Sequence, residues 1–186
     1  KLNTYIKSKT LAEKAAWSHL TENKKTPNSE LVVIAPGGVF GPPLGDDITG
    51  ESLSILSKML DGKIPFVPKT AFPMVDVRDV AQLHVKALKN KTAAGKRFIV
   101  SGAEPISFVD AATILKQNGY RGPSTKIAPA WLLNFMALFD REAKGMLGIL
   151  DMHLKADNSA TIKTFKWNPI PFEKSLIESA AAVNKI

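Results

Sequence analysis

The stretch ELVVIAPGGVFGPP, from Glu30 to Pro43, constrains the fold more than any other part of the chain. Leu31 to Ile34 are apolar without alternation, so a strand over Glu30–Ala35 has no face to give to solvent. Strands of that kind belong to parallel sheets covered on both faces by helices. A segment dense in glycine and proline follows at once and reads as loop. A loop at the C-terminal end of a buried parallel strand lies where open α/β sheets bind ligands. There Gly37 and Gly38 permit a ligand to approach the backbone closely, while Val39 and Phe40 offer main-chain groups and an apolar wall. A tight turn stiffened by prolines explains the same residues. No GxxxxGK[ST] or GxGxxG pattern occurs in the chain, so this is not a phosphate loop.

The other segments fit an α/β chain with an added helical portion. Good helix formers predict a first helix over Thr4–Glu22, followed by a polar turn over Lys24–Ser29 containing Pro27. A helix over Glu51–Leu60 stops at Asp61-Gly62. "KIPFVPK" is short and extended, and Pro65 and Pro68 keep it out of a central ladder position. Met74 and Val75 are extended, and a helix runs from near Asp79 to Leu88 with Asp76 or Asp79 as its cap. "KRFIVSG" reads as another strand. Ser107 caps the next helix, with Asp110 as the N3 partner of a capping box and Gly119 as the stop. "APAWLLNFMALF" and "MLGILDMHL" read as apolar helices, and a turn then leads to a closing amphipathic helix. A helix that opens a parallel sheet is expected to return from an earlier strand, so either the fold is unusual or a preceding strand is missing.

Composition narrows the function classes. Cysteine is absent, which removes disulfides, thiolate nucleophiles and cysteine metal sites. His19, His84 and His153 have no metal-ligand spacing, so no metal is expected. The net charge of +8 comes from scattered lysines without aromatic interleaving, so nucleic acid is not an expected partner. No apolar run has the length of a membrane span and no targeting segment is visible, which leads to the expectation of a cytoplasmic protein without a membrane partner.

Tyr5 and Lys9 are four residues apart and share one helix face. An ammonium beside a phenol (ordinary pKa ~10) favours the phenolate, so the pair can relay a proton to or from a carbonyl or alcohol oxygen. A tyrosine packed at a helix start with a solvated lysine has the same spacing. Asp76, Arg78 and Asp79 read as ion pairs and caps at a strand-to-helix junction, Asp46 and Asp47 as exposed loop residues or caps, and His84 as a packing or capping residue. His153 is a candidate for lining a pocket.

Four motifs in order resemble the extended short-chain dehydrogenases/reductases, in particular those like dihydroflavonol 4-reductase and bacterial aldehyde or ketone reductases. "YIKSKTLAEKAAW" resembles their Tyr-x-x-x-Lys helix and "VVIAPGGVFGPPL" their next strand and nicotinamide-side loop. "MVDVRDVAQLHVKAL" resembles a later strand–helix junction, and "FKWNPIPFEKSLIESA" the closing segment. The resemblance implies NAD(P)H-dependent reduction of an aldehyde or ketone. NADP(H) is favoured over NAD(H), although the residue that discriminates them lies outside the matched motifs. It makes Tyr5 the general acid. Lys9 acts on Tyr5 and binds the nicotinamide ribose, and Pro36, Gly37 and Val39 contact the nicotinamide end. Phe40, Trp131, Phe135 and His153 become substrate-pocket residues within an apolar lobe that also carries Leu132, Met136, Leu138, Phe139, Met146 and Leu147. That lobe favours an aromatic or aliphatic carbonyl over a nucleotide sugar. A nucleotide-sugar epimerase or dehydratase, a hydroxysteroid dehydrogenase, and a non-catalytic dinucleotide-sensing or protein-binding member are the alternatives.

The family also begins with a Gly-rich strand–turn–helix and supplies a serine or threonine upstream of the tyrosine; neither is found here. The expectation is therefore the C-terminal part of a Rossmann-type parallel-sheet protein with a smaller, mostly helical substrate lobe and its N-terminal dinucleotide-binding half absent. Residues 1–186 form one incomplete catalytic domain, with 1–35 and 71–100 mainly on the Rossmann side and 36–70 and 101–186 mainly in the lobe. The expected partners are a small carbonyl or alcohol substrate and the missing N-terminal half. The state is monomer or homodimer, and the fragment alone is inactive.

Overall fold

The computed structural model describes residues 4–22, 29–136, 138 and 153–184. Helix α1 spans Thr4–Glu22, as its helix-forming composition predicts. Strand β1 is Val33–Pro36 and β2 is Gly38–Phe40. Helix α2 (Glu51–Leu60) precedes β3 (Ala71–Asp76), which runs directly into α3 (Val77–Lys89). Strands β4 (Arg97–Val100) and β5 (Pro105–Ser107) lead into α4 (Phe108–Gln117). Helices α5 (Ala130–Met136), α6 (Ser159–Phe165) and α7 (Phe172–Val183) complete the described elements. The predicted turn around Pro27 and the helix over "MLGILDMHL" up to Met152 lie outside the described residues, as do Phe139, Met146 and Leu147.

Two ladders are parallel. β1 pairs with β4 in the register Val33↔Arg97 to Pro36↔Val100. β2 pairs with β3 through Gly38↔Met74, Val39↔Val75 and Phe40↔Asp76. β5 adds to β3 in antiparallel fashion, with Phe72 opposite Ile106. These ladders correct the expectation that the dinucleotide-binding half is absent. Parallel strands flanked by helices, the arrangement of a Rossmann-type core, are formed within this chain. The physical reason is that parallel pairing needs only two apolar strands and a crossover between them. The segments "VVIAP" and "RFIV" are such strands, and α3 packs on both β1 and β3 between them. β2 is a second correction. Its glycine and proline neighbours suggest loop, yet three residues pair with β3.

Two apolar clusters hold these elements. One lies on the sheet, where Val75, Leu83, Phe98, Val100, Phe165 and Trp167 are buried between β3, β4, α3 and the end of α6. The other lies between α2, α4 and α7, with Leu56, Leu115, Leu176 and Ala180 almost fully enclosed. A leucine buried to this extent contributes ~1.5–3 kcal/mol relative to exposure. Ser107 caps α4 through a complete box: its hydroxyl accepts from Asp110 N–H, and the Asp110 carboxylate accepts from Ser107 N–H. Along β4, Lys96 O and Val100 O face β1, accepting from Val33 N–H and Gly37 N–H. The carbonyls of Ile99 and Ser101 point the other way and accept from Thr161 Oγ1 at 2.6 Å and Asn158 Nδ2 at 2.7 Å, at the start of α6.

Candidate active site

Tyr5 and Lys9 share a face of α1, as their spacing predicts. The Lys9 ammonium lies over the Tyr5 ring, with Nζ 5.8 Å from the centroid, within reach of a cation–π attraction. Tyr5 is 67% exposed. None of the residues of α1 is buried. Its tie to the sheet is an ion pair from Glu13 to Arg97 Nε at 3.0 Å, at the start of β4. Glu13 also accepts from Trp17 Nε1 one turn further along.

The loop beside β1 is shaped by the sheet itself. Pro36 is exposed at the end of β1, while Gly37, Gly38, Val39 and Phe40 are half-buried. A Cβ on Gly37 would lie 2.3 Å from the Pro73 carbonyl oxygen, and one on Gly38 would lie 2.5 Å from Met74 Sδ. The glycine pair therefore lets β3 pack closely against the β1–β2 turn; the approach it permits is that of the protein's own backbone. Phe40 packs edge-on against Phe172 of α7, with centroids 5.5 Å apart.

The other predicted pocket residues lie at the surface. Trp131 and Phe135 of α5 are 71% and 58% exposed. His153 is exposed, at a bridge to Ala71. His84 Nδ1 lies 2.8 Å from Val80 O, one turn back in α3, which is a local helix contact. A cleft of about 210 Å³ adjoins β3 instead, lined by Met74, Val75, Gly102, Glu104, Ile106 and the 169–172 turn. Glu104, Ile106 and Ile170 were not singled out in the sequence. The signal for them is the Met74 register opposite Gly38, which appears only once β2 is recognised as a strand.

The densest polar cluster sits where β2 and β3 end. Asp76, fully enclosed, caps α3. Its Oδ1 accepts from Arg78 N and Nε, both at 2.8 Å, and its Oδ2 accepts from Arg78 Nη2 at 2.7 Å and from the Ser175 hydroxyl. Burial pushes this carboxyl up, but the donors on Arg78 and Ser175 outweigh it and hold the group below the usual carboxylate range. Arg78 Nη2 also meets Glu178 Oε2 at 2.7 Å. Hydrogen bonding to Asp76, with Glu178 adding to it, raises the guanidinium pKa further. Asp79 accepts from Ile170 N–H at 2.8 Å. Among the described residues no group of three or more histidines and carboxylates is placed to hold a metal ion. No helix among them is long and apolar enough to cross a membrane.

Tyr5 brings a phenol and Lys9 an ammonium to one face of α1, and Val39 lies in the parallel β2–β3 ladder, one residue before its C-terminal end. In sequence and in fold the chain is similar to several reductases. No family model matches the chain. Among curated proteins, the NADPH-dependent methylglyoxal reductase GRE2 of Saccharomyces cerevisiae is 34% identical over 122 residues, covering 63% of this chain and 35% of that protein. Cinnamoyl-CoA reductase CAD2 of Medicago truncatula is 38% identical over 96 residues, covering 52% of this chain and 28% of that protein. The crystal structure of yeast methylglyoxal/isovaleraldehyde reductase Gre2 complexed with NADPH superposes with a TM-score of 0.73 at 25% identity, covering 97% of this chain and 51% of that one. The chain thus spans about half the length of the solved relative.

Proposed function

We propose that the full-length protein is an oxidoreductase that uses NADPH to reduce an aldehyde or ketone to the alcohol. The observation that carries this reading is the Tyr5–Lys9 pair, open to solvent on one helix face. The named activities of the relatives, reduction of methylglyoxal and of isovaleraldehyde with NADPH, support it.

NADPH, when bound, would supply a hydride, which carries the two reducing electrons, and would become NADP⁺. The residues of this chain do the rest. Tyr5 Oη hydrogen-bonds the substrate carbonyl oxygen and gives it a proton as the carbonyl carbon accepts hydride. The Lys9 ammonium stabilises the negative charge that grows on the phenol oxygen and donates to the ribose hydroxyls. The backbone of Val39, with Pro36 and Gly37 beside it, sets the position of the nicotinamide. Residues 1–35 and 71–100 serve mainly the cofactor side, and 36–70 and 101–186 mainly the substrate lobe, with Pro36, Gly37 and Val39 at the border between them. Trp131, Phe135 and His153 border the substrate entrance, with Phe40 behind it. The substrate is an aromatic or aliphatic aldehyde or ketone.

The test is aldehyde-dependent oxidation of NADPH by the full-length protein, with methylglyoxal and isovaleraldehyde as substrates. Tyr5→Phe removes the proton donor and lowers kcat by about 10²–10⁴-fold with the fold intact. A wild-type protein that oxidises no NADPH with either aldehyde, or a Tyr5→Phe variant with undiminished turnover, overturns the reading.

A further inference from the structure

Helix α7 carries two serines, Ser175 and Ser179, that are both fully enclosed. Their neighbours on the buried face are Leu176, Ala180 and Val183, so apolar residues fit that environment. An enclosed hydroxyl is unfavourable unless it is hydrogen-bonded, and both serines bond to groups far away in the chain. Ser175 Oγ donates to the Asp76 carboxylate at the end of β3. Ser179 Oγ accepts from Gly41 N–H at 2.8 Å, just past the end of β2, and donates to Ser175 O at 2.6 Å. Phe40 and Asp76 are register partners, so the two serines reach the C-terminal ends of two adjacent parallel strands. Ligands bind along that edge in open α/β sheets.

The place is tightly specified. Gly41 has φ of +138°, and a Cβ there would lie 2.5 Å from Val77 Cγ1 and 3.3 Å from Asp76 Oδ1, so the backbone turns directly over the start of α3. Glu178, between the two serines, takes Arg78 Nη2 from the outside. Phe172 braces Phe40 one turn earlier in α7. The exit of β2 is held by Phe172 and Ser179, and the adjacent end of β3 and start of α3 by Ser175 and Glu178.

We propose that α7 positions the backbone of Val39–Gly41 for the nicotinamide, with Ser179 as the principal positioning residue and the Ser175–Asp76–Arg78–Glu178 chain as its support. The proposal rests on the reductase reading above. Ser179 does not touch the cofactor; it fixes the main chain that does.

The experiment compares the full-length wild type with Ser179→Ala and Glu178→Gln, measuring kcat, the KM for NADPH and the melting midpoint. Loss of one backbone anchor is expected to raise the NADPH KM of Ser179→Ala about tenfold, the equivalent of one hydrogen bond. The melting midpoint should fall by only about 2–4 °C. Glu178→Gln, half-exposed and tolerant of the change, should move the NADPH KM in the same direction by about two- to threefold. A fall in melting midpoint with the NADPH KM of both variants unchanged overturns the inference and leaves the serines as fold residues. If Ser179→Ala does not fold, the Glu178→Gln value alone decides it. Absence of NADPH turnover in the wild type overturns the reductase reading itself, a separate outcome from unmoved KM values in an active enzyme.

Discussion

The first and last helices of the chain are opposites. α1 has 19 residues and buries none of them, while α7 has 12 and buries five. α1 meets β4 through an ion pair whose side chains are 48% and 27% exposed, while α7 reaches the sheet through enclosed hydroxyls and an aromatic contact. On the proposed reading the contrast suits their tasks: a phenol that meets a substrate stays accessible, and a residue that fixes a strand end loses its freedom. That reading puts the reactive groups and the groups that set geometry on separate helices.

Substitutions can break or sharpen this contrast. The largest effect is expected from Leu176→Ala in α7, about 2–5 kcal/mol in chemical denaturation, because the site is enclosed and leaves a cavity. Asp76→Ala comes next, at about 2–3 kcal/mol by the same measurement. It strands Ser175 and Arg78, but Arg78 is 41% exposed and recovers part of the loss by hydration. Asp76 also gives a pH signature. Its folded pKa lies below the unfolded value (~3.9), so the unfolded chain binds more protons in between and stability rises with pH there. The advantage of wild type over Asp76→Asn is fully present above about pH 5 and shrinks as pH falls through the folded pKa; acid titration of the unfolding midpoint measures it. Glu13→Gln in α1 should cost less than about 1 kcal/mol, with the difference vanishing at high salt. Leu11→Ala, at a site 53% exposed, should stay within about 0.5 kcal/mol. A large loss at Leu11 would mean that α1 is embedded after all and would end the comparison.

Local chemistry was legible in the sequence where it sufficed. The bounds of α1 and α2, the Ser107–Asp110 box and the stop at Gly119 follow from propensity and capping, which act over a few residues; for α3 the sequence leaves Asp76 and Asp79 as alternative caps, and the structure shows Asp76. Strands β2 and β5 were missed because three residues leave no room for a pattern, and their proline and glycine neighbours signal loop. α6 was missed because SATIKTF is polar and short. At the site, the Tyr5–Lys9 pairing is a helix repeat and could be read directly. The meaning of Gly37 and Gly38 could not, since what crowds them is Pro73 and Met74 on a distant strand. Ser175 and Ser179 look like ordinary helix-surface serines until β2 and β3 are placed beside them.

The outward carbonyls of β4 bear on how this molecule meets other chains. An exposed strand margin is a template for foreign strands, and the usual remedies are charge, proline or a bulge. Here Thr161 and Asn158 occupy Ile99 O and Ser101 O with side-chain donors, so a strand arriving from another molecule finds those acceptors already taken. On that flank α6 packs against β4, and two side chains from its start take carbonyls that a foreign strand would need.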